Sequence, residues 1–218
     1  MKRLAQIILL LLLGVVVWQY QQSRRPPFDP AFLRLSPLEI MRLPLATRFD
    51  QPLGSEQGAL TYNAQPFRLN RHLGDDLNGI GGQNSDLGDP VYASAFGRVV
   101  YANETGGGWG KMIILAHRVP DLTDPATILV IQTVYAHLDQ MQIKHGQLVQ
   151  RGQQIGTVGK ADEQHLAHLH FEIREGPFIN PSVGYADAPL NRISPERFLA
   201  ERRGAADTQL GTAPALEP

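Results

Sequence analysis

A chain of 218 residues with a formal net charge of -1 is long enough for one ordinary hydrophobic core once its terminal segments are set aside. It lacks the clustered Lys and Arg field that binding to a phosphate backbone requires, which argues against a nucleic-acid partner. It has no cysteine, so disulfides, thiolate metal sites and a lipid-modified N-terminal Cys are excluded, and any metal must sit on His and carboxylate side chains.

Behind Met1-Lys2-Arg3, residues 4–18 are apolar except for Gln6, with the positive charge placed as on a cytoplasmic flank. The run is longer than a typical signal-peptide core of ~7–15 residues and shorter than a spanning helix of ~20. No small-x-small cleavage site follows it, and Trp18 and Tyr20 suit a membrane interface. An uncleaved membrane anchor over residues 1–20 is therefore expected, with a removed signal as the alternative. Pro26, Pro27, Pro30, Pro37 and Pro44 then make residues 21–46 a Pro-rich spacer with at most one short helix, at 37–43.

Residues 47–203 carry the domain. Brief apolar runs at 90–93, 97–101, 112–115 and 128–131 alternate with Gly, Asn and Asp clusters, a spacing that predicts antiparallel β-structure. Gly152, Gly156 and Gly159 mark corners between short strands. Asn180-Pro181 predicts a turn, and Ser194 followed by Pro195 predicts the N-cap and first position of a short C-terminal helix. Residues 204–218 have few large apolar side chains and read as a disordered tail. The expected fold class is mostly β: an antiparallel sandwich or open barrel with a short C-terminal helix and an N-terminal membrane helix.

Three short strings carry chemistry. His72-Leu-Gly-Asp-Asp76 offers a histidine and a carboxylate, and Gly74 with the glycines at 79, 81 and 82 places the pair at a strand end entering a loop. Thr133-Val134-Tyr135-Ala136-His137 puts a histidine at the end of a strand-like run that starts at Ile128. In His168-Leu-His170-Phe-Glu172, strand alternation sets His168, His170 and Glu172 on one side and Leu169, Phe171 and Ile173 on the other. Two histidines and a carboxylate form the donor set of a hydrolytic zinc site, in which water takes the remaining tetrahedral position. Glu172 either orients a ligand histidine or pairs with Arg174 or a Lys.

Together with the linking text Gly88-Asp89-Pro90-Val91-Tyr92-Ala93, Gly97-Arg98-Val99-Val100, Gly108-Trp109-Gly110-Lys111 and Gly152-Gln153-Gln154-Ile155-Gly156, these strings resemble the lysostaphin and LytM-type zinc peptidases over residues 47–198. The resemblance implies zinc on His72, Asp76 and His170, with His137 and His168 as the catalytic histidines. In that assignment His168 is the general base and His137 stabilises the oxyanion or shares proton transfer, roles that could be exchanged.

It further implies a zinc metallo-endopeptidase that hydrolyses peptide bonds in peptidoglycan stem peptides or crossbridges. The site would lie in a bacterial cell envelope, anchored to the inner membrane and facing the periplasm, or be secreted after signal cleavage. Two alternatives stand beside it: a non-catalytic regulator that activates a cell-wall amidase, hence a cell-envelope protein partner, and a zinc peptidase acting on a protein or peptide.

Some positions depart from the family pattern. Residues 159–167 lack the Thr-Gly-rich segment usual before the His-x-His pair, which alters that wall of the expected groove, and His165 reads as a surface histidine, with an extra polar contact for substrate as the alternative. Tyr62 comes too early for the tyrosine that some relatives place before the first ligand. His117 and His145 read as surface histidines, and Asp75 as a solvated neighbour of Asp76 and the fallback ligand.

Overall fold

Among the described residues, the β-branched and aromatic runs form ten antiparallel strands: β1 (Thr61–Gln65), β2 (Asp75–Gly79), β3 (Pro90–Tyr92), β4 (Gly97–Glu104), β5 (Lys111–Pro120), β6 (Ile128–Met141), β7 (Leu148–Val149), β8 (Gln154–Val158), β9 (Leu169–Glu175) and β10 (Arg192–Ile193). In this computed structural model, residues 14, 33–55, 58–161, 163–181 and 183–206 are described. The expected membrane segment, apart from Gly14, the first part of the spacer and the tail from residue 207 lie outside them. Among the described residues, no helix is long and apolar enough to cross a membrane.

The strands join one sheet in the order β1-β2-β9-β6-β5-β4-β7, with β10 on β9 and β3 on β8 as branches. The sheet does not close, because β1 and β7 stand at opposite ends of this path. The 14-residue β6 organises it. Its residues pair with β9 as far as Ala136↔His170, and from Leu138↔Val158 onward they pair with β8. The change of partner falls at His137, which takes φ 62°, a left-handed conformation that costs a side-chain-bearing residue ~1–3 kcal/mol and is held only where the surroundings over-determine it.

Alternation along the central strands builds two buried faces. One carries Ile113, Leu115, Tyr135, Phe171 and Ile173 and packs against Phe49, Phe198 and Leu199. The other carries Met112, Ile114, Val134 and Ala136 and packs against Leu35, Leu43 and Ile179. The described part of the spacer is thus folded onto the sheet. Its Leu35 N–H donates to Pro177 O at 3.0 Å, Leu45 bridges Arg118 in parallel, and its one helix, α1 (Pro37–Met41), starts with a Ser36/Glu39 capping box. The expected C-terminal helix is α2 (Pro195–Arg202), whose N-cap Ser194 accepts from Arg197 N–H.

Two expectations need correction. His117 is no surface residue but is wholly buried. Its Nδ1–H donates to Phe96 O at 2.7 Å and its Nε2 lies 3.0 Å from Thr133 Oγ1, and burial pushes its pKa down to about 4 against the Phe96 hydrogen bond. Asp75 is also buried, on the face opposite Asp76, where it accepts from Phe67 N–H at 2.8 Å and Glu196 N–H at 3.1 Å. It joins the start of α2 to the sheet, so it is neither solvated nor a spare ligand. His145 is exposed, as expected.

Candidate metal centre and cleft

His72 closes a 3-10 turn (Leu69–Arg71) with extended backbone, φ -60° and ψ 138°, and Asp76 is the second residue of β2. The pair therefore enters a strand from a turn, the reverse of the expected strand end entering a loop, because β2 must run on to pair with β9. That pairing sets Asp76 directly opposite His170. Gly74 lies beneath the ring of His170, where a Cβ would come within 2.8 Å of Nε2 and 2.6 Å of Phe171 O, so the turn between the two residues has space only for glycine.

Asp76 Oδ1 lies 2.9 Å from His170 Nδ1 and 3.3 Å from His72 Nε2, and the two ring nitrogens lie 3.0 Å apart. One donor atom from each residue falls within 4.8 Å of the others, and the three residues are 1, 8 and 2 % exposed in chain order. Two imidazoles and a carboxylate that converge at this depth fit the donor set of a zinc-type divalent cation. The proton affinities of Asp76 and His170 carry the same electrostatic signature. Burial opposes the charge on Asp76, but hydrogen bonds from His170 and His72 outweigh it and hold the carboxyl well below its usual range. Burial likewise opposes the His170 imidazolium, yet Asp76 and Glu172 raise it to about 9.

Glu172 answers both alternatives left open by the sequence. Its Oε1 lies 3.1 Å from His170 Nε2, while Oε2 accepts from Arg174 Nε and, at 3.2 Å, from Arg192 Nε. A carboxylate that holds the far nitrogen of an imidazole fixes ring orientation and leaves Nδ1 for the centre. Arg174 also donates to the carbonyls of Asn180 and Pro181, which ties the loop before Tyr185 to the same network.

His137 and His168 stand beside this group. Both His137 Nδ1 and its backbone N–H donate to Trp109 O, at 3.2 and 3.0 Å, and His168 Nδ1 donates to Leu166 O at 2.8 Å. Carbonyl acceptors assign the Nδ1–H tautomer to both, so each neutral ring turns its Nε2 lone pair away from the backbone. His168 Nε2 lies 3.6 Å from Asp76 Oδ1, and the two rings meet edge to face at 4.7 Å. Burial is the main cause that lowers both pKa values, His137 well below the ordinary imidazole range, so both rings are neutral at pH 7.

A cleft of about 570 Å³ opens over these residues. Trp109 stacks near His137 at 6.2 Å and meets His170 edge-on at 5.2 Å, with Gly107 and Gly108 continuing that wall. The opposite wall includes Tyr185, whose ring lies 5.1 Å from His72 and whose hydroxyl donates to Gln65 Oε1 at 3.4 Å. His165 is exposed, as the sequence implied, but its ring sits on the cleft rim 4.9 Å from His137 and 5.8 Å from His168. Tyr185 and Gln65 escape a sequence reading, since each reaches the cleft from a loop or strand end with no motif around it, whereas the rim position of His165 agrees with its alternative reading as an extra polar contact. Tyr62 is half-exposed and does not line the cleft.

Comparison with known proteins places these positions in context. Peptidase family M23 matches residues 78–181. The chain is 38 % identical over 95 residues to "Lipoprotein NlpD" of Yersinia enterocolitica, an alignment that covers 43 % of this chain and 87 % of that protein. It is 31 % identical over 147 residues to "Murein hydrolase activator NlpD" of Escherichia coli, covering 67 % of this chain and 31 % of the other. With "Peptidoglycan DD-endopeptidase ShyB" of Vibrio cholerae it shares 33 % over 87 residues, 40 % of this chain and 18 % of that one. The chain thus spans less than a third of the length of the latter two relatives.

Proposed function

The chain belongs to peptidase family M23, and on that premise we propose that it is a zinc-dependent endopeptidase acting on peptide bonds of peptidoglycan. The observation that carries this reading is the convergence of His72, Asp76 and His170 within 4.8 Å under a cleft that His137 and His168 also line. His72, Asp76 and His170 would hold the ion. Bound there, zinc supplies water of lowered pKa and polarises the scissile carbonyl.

The chain's own residues then handle the protons. His168, neutral and with Nε2 near Asp76, accepts the proton of the attacking water. His137 lies within ring contact of His168; it takes over the proton that His168 removed from the water and, through Nε2–H, bonds the developing oxyanion and delivers that proton to the leaving amine. Trp109 holds His137 through its carbonyl and stacks near that ring, and Glu172 keeps His170 aimed. Tyr185 and Gln65 form the wall along which substrate lies. Residues 33–48 line no part of the cleft. The proposed setting is the cell envelope, with residues 1–20 targeting the chain to a membrane and peptidoglycan within reach of the domain.

A second reading has one observation in its favour: a relative sharing 147 aligned residues is named a murein hydrolase activator. Under that reading the chain would bind and switch on a separate hydrolase. The complete set of five residues supports catalysis instead. Zinc content and release of new amino termini from crosslinked muropeptides, measured on one preparation, separate the two. A zinc-loaded chain that releases amines supports the peptidase, whereas a chain that releases none alone but stimulates an added amidase supports the activator.

A further inference from the structure

Away from the cleft, α1 and the turn at 145–146 enclose a second cavity of about 380 Å³ whose rim includes Arg34, Arg42 and Arg98. Among the described residues none of these three guanidiniums has a carboxylate partner. The single acid of the rim, Glu39, is engaged by the N–H and hydroxyl of Ser36, both at 2.7 Å. Arg98 donates through Nη1 to Gly146 O at 2.8 Å and through Nη2 to Arg42 O at 3.5 Å, while its Nε is buried and has no hydrogen-bond partner. The fold thus leaves part of the hydrogen-bonding capacity of this cation unsatisfied.

The surroundings narrow the chemistry. The cavity floor is apolar, formed by Leu35, Leu43, Val99 and Ile179, which suits an amphiphile better than a bare inorganic anion. Leu38 and Met41, three residues apart on α1 and 55 and 69 % exposed, share one outward stripe of that helix. Exposed apolar side chains beside arginines that lack a carboxylate partner are the composition of a surface that rests on an anionic bilayer. The chain's course agrees. Only residues 19–32, which include Arg24 and Arg25, separate the apolar run at 4–18 from Leu33 on the cavity rim, and fourteen residues reach at most roughly 50 Å.

We propose that this face of the domain docks on a bilayer that contains anionic phospholipid, with a headgroup phosphate held by Arg34, Arg42 and Arg98. The proposal rests on the reading of residues 1–20 as a membrane-targeting segment, and it adds a fixed orientation of the domain to that tether.

The chain has no cysteine, so Met41→Cys and, as a control on the opposite side of the sheet, Leu122→Cys can each carry one fluorophore. Full-length chain is incorporated into nanodiscs made with or without phosphatidylglycerol, and quenching by spin-labelled lipid is read at each site. Quenching at position 41 that requires phosphatidylglycerol, is absent at 122, and falls about thirtyfold in docked-to-undocked ratio in Arg34→Gln/Arg42→Gln is the expected result. Equal quenching at both sites, or no dependence on anionic lipid, overturns the proposal. Release of the position-41 label by millimolar inorganic phosphate assigns the cavity to a soluble anion and overturns the lipid assignment. Failure of the chain to remain with discs of either composition refutes the anchor alone, and docking is then read from the free chain on phosphatidylglycerol vesicles.

Discussion

Asp76 and His170 face one another as a cross-strand pair on β2 and β9, and this register alone brings a carboxylate oxygen within 2.9 Å of an imidazole nitrogen. A one-residue slip would turn Asp76 to the opposite face and present Asp75, which already caps the start of α2. The centre is therefore written into strand pairing, with His72 added by the turn beside it.

Gly74→Ala tests that geometry from beneath. The new methyl would press on the His170 ring and on Phe171 O, so stability should fall by about 1–3 kcal/mol, as for overpacking. Zinc affinity should fall with it. Thermal unfolding and zinc titration check both, and a variant with unchanged zinc affinity would show that His170 is not held from this side.

Glu172→Gln keeps the shape of the side chain and removes its charge. Two guanidiniums, Arg174 and Arg192, then lose their shared carboxylate inside the protein, and breaking such a buried network costs about 3–5 kcal/mol. Loss of the hold on His170 Nε2 should weaken zinc binding about 10–100-fold. Calorimetry of the metal-free and zinc-loaded variants measures the two effects separately.

The pH dependence of stability is set in part by His117. Its folded pKa is about 4 against an ordinary 6.5, so between those values the unfolded chain binds the extra proton. Stability is full above pH 6.5, declines as pH falls towards 4, and is lower by about 3 kcal/mol below that. His117→Gln should flatten this part of the profile in denaturant titrations of the metal-free protein. An unchanged slope between pH 4 and 6.5 would assign the acid sensitivity elsewhere.

His137→Ala should lower turnover by about 10²–10⁴-fold, the range for loss of a proton-transfer group, while zinc content stays at the wild-type level because the proposed metal donors are untouched. Zinc assay beside kinetics decides it. A fall in zinc equal to the fall in rate would make His137 a support of the metal centre.

Much of this site was legible because the chemistry sits in local strings. Alternation in residues 168–173 separated the polar from the apolar side of β9, and Ser194-Pro195 marked α2 through capping alone. Positions whose roles depend on distant partners were not legible. The burial of His117 follows from Phe96 and Thr133, which β-pairing brings to it. The choice between Asp75 and Asp76 follows from register, and Tyr185 reaches His72 only through the loop that Arg174 holds. The fold of residues 33–46 onto the sheet depends on Leu35 and Leu43, which in a Pro-rich stretch show no period.

The most direct test is a mass-spectrometric digest of crosslinked muropeptides by the zinc-loaded chain, with chelator-treated chain and His168→Ala in parallel. Cleavage by the loaded chain that disappears with chelator, returns with zinc, and drops at least about a hundredfold in a zinc-retaining His168→Ala is the predicted result. Muropeptides left intact by the zinc-loaded wild type, indistinguishable from those left by His168→Ala, would contradict it.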